Sequence, residues 1–227
     1  ETVLNHYNYC PTKLIEAGFN TNWLQHMEVG YDFNNNRITY PIRDIYGNLA
    51  GVSGGAQYDW QYPKYKIYRG GYKDYSGKNY PSDFGGWFNE QYPDYRIDKS
   101  RYIWNFDRVY SRLCFSESKS SIIIVEGFKA CLWLLQNGYI NTVALMGKFM
   151  SDIQYNLITR LNANVVLFLD NNTAGREGAI KIKDCLKNLM KVSIVNYPDK
   201  PKVNKAVDKL QPDDLTKDEI NGMINGK

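Results

Sequence analysis

The sequence predicts an α/β fold in which a parallel sheet flanked by helices follows a mixed α+β N-terminal subdomain. Between residues 121 and 179, three short apolar segments at 122–125, 142–145 and 165–169 alternate with helical segments. This βαβαβ order is typical of a parallel sheet with right-handed crossovers. The chain has 227 residues, of which 43% are hydrophobic, so it is long and apolar enough to bury a core.

Acidic residues follow the first and third of these apolar segments. Glu126 comes directly after one segment, and Asp170 comes directly after the other. Chemistry in parallel sheets collects beyond the carboxyl ends of the strands. Two carboxylates at one sheet edge are costly unless they share a cation. Oxygen ligands suit Mg²⁺, which keeps several waters and binds substrate phosphates. The sequence therefore predicts a magnesium site for phosphoryl transfer on nucleotides or nucleic acid.

The first half of the chain predicts a mixture of short helices and antiparallel strands. The predicted elements are helices at 12–17 and 21–27, strands at 36–42, 49–53 and 57–68, and a long loop at 70–97. A polar linker at 116–121 separates this half from the parallel sheet. We therefore expect two subdomains, 1–115 and 116–227.

Charge and aromatic residues are unevenly distributed. Residues 60–112 contain ten Lys and Arg against six Asp and Glu, together with ten of the nineteen tyrosines. Cations for phosphates and rings for bases are what single-stranded nucleic acid requires, although a solvated, tyrosine-rich surface would have the same composition. The four cysteines form no C-x-x-C pair, so neither a zinc site nor a disulfide framework is indicated. No apolar run reaches membrane-spanning length.

Motifs in both halves resemble one known family. The segments VEG, ALMG and LDNNTAGREG resemble the Toprim domain of DnaG-type primases, type IA and type II topoisomerases and some nucleases. Upstream, PIRD, a Gly-Gly pair, PKY and DKSRYIWN occur in the order of the DnaG-type primase core. Over most of its length, the chain thus resembles the catalytic core of a DnaG-type DNA primase, and among these it is most similar to the phage type.

The resemblance implies an enzyme that synthesises short RNA primers by nucleotidyl transfer. It implies Mg²⁺ or Mn²⁺ as cofactor and no zinc in this fragment. The implied partners are a single-stranded DNA template, ribonucleoside triphosphates, and a replicative helicase bound through regions outside this sequence. The implied location is the cytoplasm of a bacterium or of a phage-infected host cell, without a membrane. Subdomain 1–115 would bind template, and subdomain 116–227 would carry the metal.

The resemblance also implies specific site residues. Glu126, Asp170 and Asn172 form the expected catalytic set, and Asp208 joins them as an expected metal ligand. Glu126 either holds metal or acts as general base. The expected residues for nucleic acid and nucleotides are Arg43, Lys64, Tyr65, Lys99, Arg101, Lys148 and Arg176. Each of these cations has an alternative interpretation as an ordinary surface residue.

The sequence departs from the family pattern at its acidic positions. Asn172 stands where the Toprim D-x-D has its second Asp, and Ala130 replaces another Asp. The third cluster, usually D-P-D or D-x-N-D, has two possible registers. One covers 205–208 and leaves Asp208 as the acid. The other places Val203-Asn204-Lys205 on x-N-D, so that lysines stand at 202 and 205 in place of both acids.

Two alternative functions follow from this thinned acidic site. One is a primase-derived module that binds nucleic acid but has lost catalytic power. The other is a Toprim nuclease, which would use the same metal for cleavage, although the primase-like first half argues against it.

Two further expectations concern packing. A capping box at Thr216 and Glu219 predicts a short terminal helix, interpreted as a structural end piece. An apolar stripe that ends at Leu189 predicts an amphipathic helix after Asp170. Cys131 and Cys185 lie on apolar faces of predicted helices and are expected to be core thiols.

Overall fold

A computed structural model of the chain describes residues 2–85, 92, 94–115, 120–198 and 205–225. Its contacts divide the chain into two compact units. The first unit comprises Glu1–Asp44 with Asn48–Lys99, and the second comprises Ile45–Gly47 with Ser100–Lys227. This division at Ser100 precedes the boundary that the polar linker at 116–121 predicts, of which residues 116–119 lie outside the described part.

The first unit is built on an antiparallel sheet with strand order β1-β2-β3-β4. Its strands are β1 (Gly30–Asp32), β2 (Arg37–Arg43), β3 (Leu49–Ala56) and β4 (Tyr65–Ile67). A 3-10 helix (Thr2–Tyr7) precedes α1 (Thr12–Glu16) and α2 (Thr21–His26). The predicted helices and the 36–42 and 49–53 strands are confirmed, whereas the predicted 57–68 strand forms only at its end. The predicted loop at 70–97 contains a separate hairpin of β5 (Tyr72–Lys73) and β6 (Asn79–Tyr80).

Two buried charged side chains of the first unit, Asp32 and Arg37, are satisfied by hydrogen bonds. The Asp32 side chain is 2% exposed, and it accepts hydrogen bonds from the Tyr68 hydroxyl at 2.7 Å and the Asn34 amide at 2.9 Å. Arg37 is also buried and donates to the carbonyls of Gly54 (3.1 Å) and Pro63 (2.9 Å). Because a buried charge is tolerated only when it is satisfied, these two residues hold the sheet together rather than bind a ligand.

The second unit contains the predicted parallel sheet, with strand order β10-β9-β7-β8. Its strands are β7 (Ser120–Val125), β8 (Thr142–Ala144), β9 (Ala163–Leu167) and β10 (Val192–Ile194). Its helices are α3 (Phe106–Leu113), α4 (Phe128–Gln136), α5 (Asp152–Ile158), α6 (Thr173–Leu186) and α7 (Lys217–Asn225). The fold class is confirmed. None of the helices in the described ranges is long and apolar enough to cross a bilayer.

The segment after Ser100 joins the second unit because it pairs with the parallel sheet. The Trp104 amide donates to the Ala144 carbonyl at 2.9 Å, and the Ala144 amide donates back at 3.1 Å, which adds an antiparallel bridge beside β8. Gln154, at the start of α5, donates to the Tyr102 carbonyl at 2.7 Å. The apolar face of α3 then packs into the core of the sheet through Phe106, Val109 and Leu113.

The face that helix α6 packs on the sheet ends earlier along the chain than its sequence predicts. Its buried face consists of Gly175, Gly178, Ala179, Ile182 and Leu186. The predicted stripe residue Leu189 is 64% exposed, because the helix has already ended at Leu186. Cys131 is buried as predicted, but Cys185 is exposed, since it lies beside this stripe and not in it.

Two glycines test the close packing of α6. A Cβ atom at Gly178 would lie 2.4 Å from the Lys148 carbonyl oxygen, whereas a Cβ at Gly222 in α7 meets nothing within 4 Å. We predict that Gly178→Ala lowers the free energy of unfolding by about 1–3 kcal/mol, because backbone must move. Gly222→Ala, the matched control, should raise it by about 0.5–1 kcal/mol through helix propensity. Urea denaturation followed by circular dichroism measures both, and equal effects would contradict the packing.

Candidate active site

The strand ends that carry Glu126 and Asp170 lie at the same edge of the sheet. In the β7–β9 pair, Ile124 lies opposite Leu167, and the Phe168 amide donates to the Ile124 carbonyl at 2.9 Å. Both carboxylates follow these positions within a few residues, and both side chains are half-buried. The parallel register therefore brings together the two acids that the sequence analysis singled out.

The Tyr197 hydroxyl lies near several carboxylates at this edge of the sheet. It donates to the Leu169 carbonyl at 3.0 Å, one residue before Asp170. Burial raises the pKa of Tyr197 far above its ordinary value, and nearby carboxylates raise that pKa further. In order of effect, those carboxylates belong to Asp170, Asp213, Asp214 and Glu126. Two acids that follow strands and two acids of the C-terminal segment therefore influence this one hydroxyl.

The C-terminal segment reaches the sheet edge through specific contacts. A 3-10 helix, Pro212–Asp214, packs against α4, and the Trp133 indole donates to the Leu215 carbonyl at 2.7 Å. The Gln211 amide group donates to the Asp170 Oδ2 atom. The predicted cap of α7 is confirmed, but the segment before that helix is part of the site rather than only an end piece.

The charge of Asp213 is only partly compensated in this arrangement. Burial is the main reason that its pKa lies above the ordinary 3.8, and the charges of Asp214 and Asp170 raise this pKa further. The Lys129 ammonium opposes these effects and lowers it. Asp214 differs, because its Oδ2 atom forms an ion pair with Lys205 at 2.5 Å. An acid that is buried among other acids is where a cation would bind favourably.

Asp208 does not occupy the position expected of the third acid. It is exposed on a 3-10 helix, Val207–Lys209, which Asn171 anchors through its side-chain amide to the Val207 carbonyl at 2.8 Å. In the alternative register, positions 203 and 204 lie outside the described residues. Asp213, whose pKa is raised by burial and by the charge of Asp170, is the alternative candidate for the third acid. The sequence contained a signal for this, since Gln211-Pro212-Asp213 has the D-P-D spacing with Gln in the first place.

Asn172 caps α6, which places its carbonyl oxygen against the backbone. That oxygen accepts a hydrogen bond from the Gly175 amide at 2.8 Å. Asn172 is therefore the N-cap of this helix. The Asn172 oxygen retains a second lone pair, so its role as a metal ligand stays a prediction.

The two predicted cations of the second unit lie near the strand ends. Arg176 donates to the Asn171 carbonyl within its own helix turn rather than to an acid of that helix. Lys148 is exposed, and its Nζ atom lies 5.1 Å from the centroid of the Phe149 ring. Just before it, Met146 adopts a left-handed conformation (φ 59°) that a non-glycine residue rarely takes, so this turn is strained. Their binding roles stay predictions.

The predicted cations of the first unit differ in how they are held. Arg43 is 11% exposed and forms a bidentate ion pair with Glu28, with Nη2–Oε1 at 2.7 Å and Nε–Oε2 at 3.0 Å. This pairing favours a structural role for Arg43. Lys64 is exposed, and its Nζ atom lies 5.9 Å from the centroid of the Tyr65 ring.

The remaining two predicted cations, Lys99 and Arg101, lie on a short 3-10 helix, Lys99–Arg101. Both are exposed. Their roles in nucleic-acid binding stay predictions.

The acidic edge fits a hydrated divalent cation better than a closed metal cage. Within the described ranges, no three His, Cys, Asp or Glu side chains form a ready-made metal group. The oxygen donors at this edge are carboxylates, which Mg²⁺ binds through one or two protein groups together with waters and substrate phosphates. Glu126, Asp170 and Asp213 are the residues that suit this kind of site.

Comparisons with known proteins agree with this architecture. A family model described as Toprim-like matches residues 123–207, which include the sheet edge with Glu126 and Asp170. The DNA primase of Clostridium acetobutylicum is 28% identical over 198 residues, covering 84% of this chain and 27% of that protein. The DNA primase of Staphylococcus aureus (strain COL) is 27% identical over 169 residues, covering 74% and 24% respectively. The chain thus spans about a quarter of the length of the relatives it matches.

Solved structures show the same fold. The zinc-binding and RNA polymerase domains of the Aquifex aeolicus primase align with a TM-score of 0.68 at 17% identity, covering 99% of this chain and 59% of that one. A DnaG primase catalytic domain bound to single-stranded DNA aligns with a TM-score of 0.64 at 16% identity, covering 95% and 70%. The resemblance to the DnaG-type primase core is therefore confirmed for the fold.

The charge on Asp213 leads to a pH-dependent prediction. Its folded-state pKa is raised, so the penalty for ionising it is absent below about pH 4 and grows as pH rises through the folded pKa. In metal-free protein, Asp213→Asn should therefore raise the melting temperature at pH 8, with a smaller gain as pH falls towards 4. Mg²⁺ should stabilise the wild type more than this variant. Asp208→Asn, at an exposed acid, is the control, and an equal gain there would contradict the assignment.

Proposed function

We propose, on the premise that this chain is a relative of bacterial DNA primases with the fold of their catalytic core, that it synthesises short RNA primers on single-stranded DNA. The observation that carries this proposal is that Glu126 and Asp170 follow neighbouring parallel strands at one edge of the Toprim-like sheet, where Gln211, two residues before Asp213, donates to Asp170. The substrates would be ribonucleoside triphosphates, and the cofactor would be Mg²⁺ or Mn²⁺.

The reaction joins two nucleotides. The 3′ oxygen of one attacks the α-phosphorus of the next, its proton is removed, and pyrophosphate leaves. A divalent cation held by Glu126, Asp170 and Asp213 would neutralise phosphate charge and make the hydroxyl more acidic. Glu126 could also accept the proton, since it follows β7 directly and is half-buried.

Neighbouring residues hold this edge in shape. Gln211 donates to Asp170 and thereby orients that carboxylate at the sheet edge. Asn172 fixes the first turn of α6. The N-terminus of a helix attracts anions, so this turn, with Arg176 and Lys148, would contact the triphosphate. These groups act by binding and orientation rather than by exchanging protons.

One observation favours a second candidate, a nucleic-acid-binding module without synthesis. Lys205 neutralises Asp214, and Gln211 occupies one oxygen of Asp170. Both contacts lower the negative charge available to a cation. A weakly bound metal would leave binding of the template intact while primer synthesis is lost.

Primer synthesis with labelled ribonucleotides on varied single-stranded templates tests the proposal. With Mg²⁺ or Mn²⁺, the wild type should give short RNA products. Glu126→Gln, Asp170→Asn and Asp213→Asn should each reduce the rate at least about a hundredfold, because each removes several kcal/mol of transition-state stabilisation.

Asp208→Asn is the matched control, since it neutralises an acid of the same segment that is exposed. It should retain synthesis. Full activity in Asp213→Asn would refute the assignment of the third acid. Absence of products on every template and with either metal, in a chain that still binds single-stranded DNA, would favour the binding module. Shortened template strands would instead indicate a nuclease.

A further inference from the structure

The hairpin of β5 and β6 lies in the insertion that the proposed active site does not use. Its turn is fully specified. The Asp74 carboxylate accepts hydrogen bonds from the Ser76 amide at 2.9 Å, the Ser76 hydroxyl at 2.6 Å and the Lys78 amide at 3.1 Å. Gly77 adopts φ 82°, the left-handed conformation that closes such a turn. The hairpin is therefore an ordered element with a defined tip.

The base of the hairpin is attached firmly to the first unit. The Gly70 amide donates to the Tyr95 carbonyl at 2.6 Å, and a Cβ at Gly70 would lie 2.7 Å from the Tyr92 carbonyl oxygen. The Arg69 amide donates to Asp83 Oδ2 at 3.2 Å. These contacts give the hairpin a fixed origin on the core.

Two cations of the hairpin, Arg69 and Lys78, make cation–π contacts that do not neutralise their charge. Tyr72 and Tyr80 lie opposite each other in the ladder and stack at 4.7 Å with an interplanar angle of 6°. The Arg69 guanidinium lies 4.4 Å from the centroid of Tyr72, and the Lys78 Nζ atom lies 5.1 Å from that of Tyr80. A cation–π contact orients a cation but leaves its full charge.

The charge balance of the hairpin is positive. Residues 69–80 contain Arg69, Lys73 and Lys78, all exposed, against the single acid Asp74, whose carboxylate is occupied by the turn. The surface thus presents three cations within twelve residues. Such a surface suits a chain of phosphates.

The tip of the hairpin adds an aromatic ring. Tyr75 is fully exposed, at 109% of the reference area. An exposed ring beside cations is the combination that binds single-stranded nucleic acid, because a base can stack on the ring while cations contact its phosphates.

We propose that this hairpin, residues 69–80, is a basic finger that binds single-stranded nucleic acid. Arg69, Lys73 and Lys78 contact the phosphates, and one base stacks on Tyr75. The inference rests on the proposed function and deepens it, since it identifies a binding surface for the strand outside the acidic edge.

Fluorescence anisotropy with a labelled oligothymidylate, measured on the full chain over a range of salt concentrations, tests the finger. Lys73→Gln with Lys78→Gln should weaken binding and flatten the log–log salt slope by about 0.7 for each lysine. Lys187→Gln with Lys191→Gln, which removes the same charge from exposed positions of the second unit, should leave the slope unchanged.

The tip is tested separately. Tyr75→Ala should weaken binding about five- to 150-fold, the effect of losing one stacked base, whereas Tyr75→Phe should bind as the wild type does. The melting temperatures of the finger variants should equal that of the wild type, because the side chains of Lys73, Tyr75 and Lys78 are exposed. Wild-type affinity and slope in the finger variants would overturn the proposal.

Primer synthesis, measured in parallel, separates this inference from the proposed function. If no primers form but the finger variants lose oligothymidylate, the finger stands and the polymerase proposal fails. If primers form and the finger variants bind normally, the finger is refuted and the polymerase proposal stands.

Discussion

Repulsion among carboxylates at one edge of the parallel sheet is the constraint on which the second unit depends. Glu126 and Asp170 reach that edge from strand ends, and Asp213 reaches it from the C-terminal segment. Folding must hold these charges close although they disfavour one another. Gln211 and Lys129 offset part of this cost, the first by a hydrogen bond and the second by its charge. The part of this repulsion that is not offset would be relieved by a bound cation, and that cation would in turn attract phosphates.

The C-terminal segment owes its place to contacts far from the acids it presents. The Trp133 indole holds the Leu215 carbonyl, and Asn171 holds the segment before it through Val207. Helix α4 therefore has two functions, since it follows Glu126 and also supports the 3-10 helix with Asp213. Packing and chemistry are coupled here, because a change on the outer side of α4 would move an acid at the sheet edge.

In the first unit, the surroundings of each cation decide whether it is structural or available. Arg37 is buried and satisfied by carbonyls, and Arg43 is neutralised by Glu28. Two cations of the finger, Arg69 and Lys78, instead contact tyrosine rings, which preserve their charge. The basic and aromatic composition of residues 60–112 therefore includes both kinds, and composition alone could not distinguish them.

Local patterns in the sequence determined how strands and helices alternate along residues 121–179. They also determined that Glu126 and Asp170 follow the ends of strands. These features depend on residues that are close in the chain, where periodicity and capping act. Tertiary structure decided the rest. The unit boundary at Ser100 depends on the pairing of Trp104 with β8, and the third acid depends on Gln211 meeting Asp170, 41 residues away. Such contacts form only when the chain is folded, because no local preference specifies which distant groups will share a buried site.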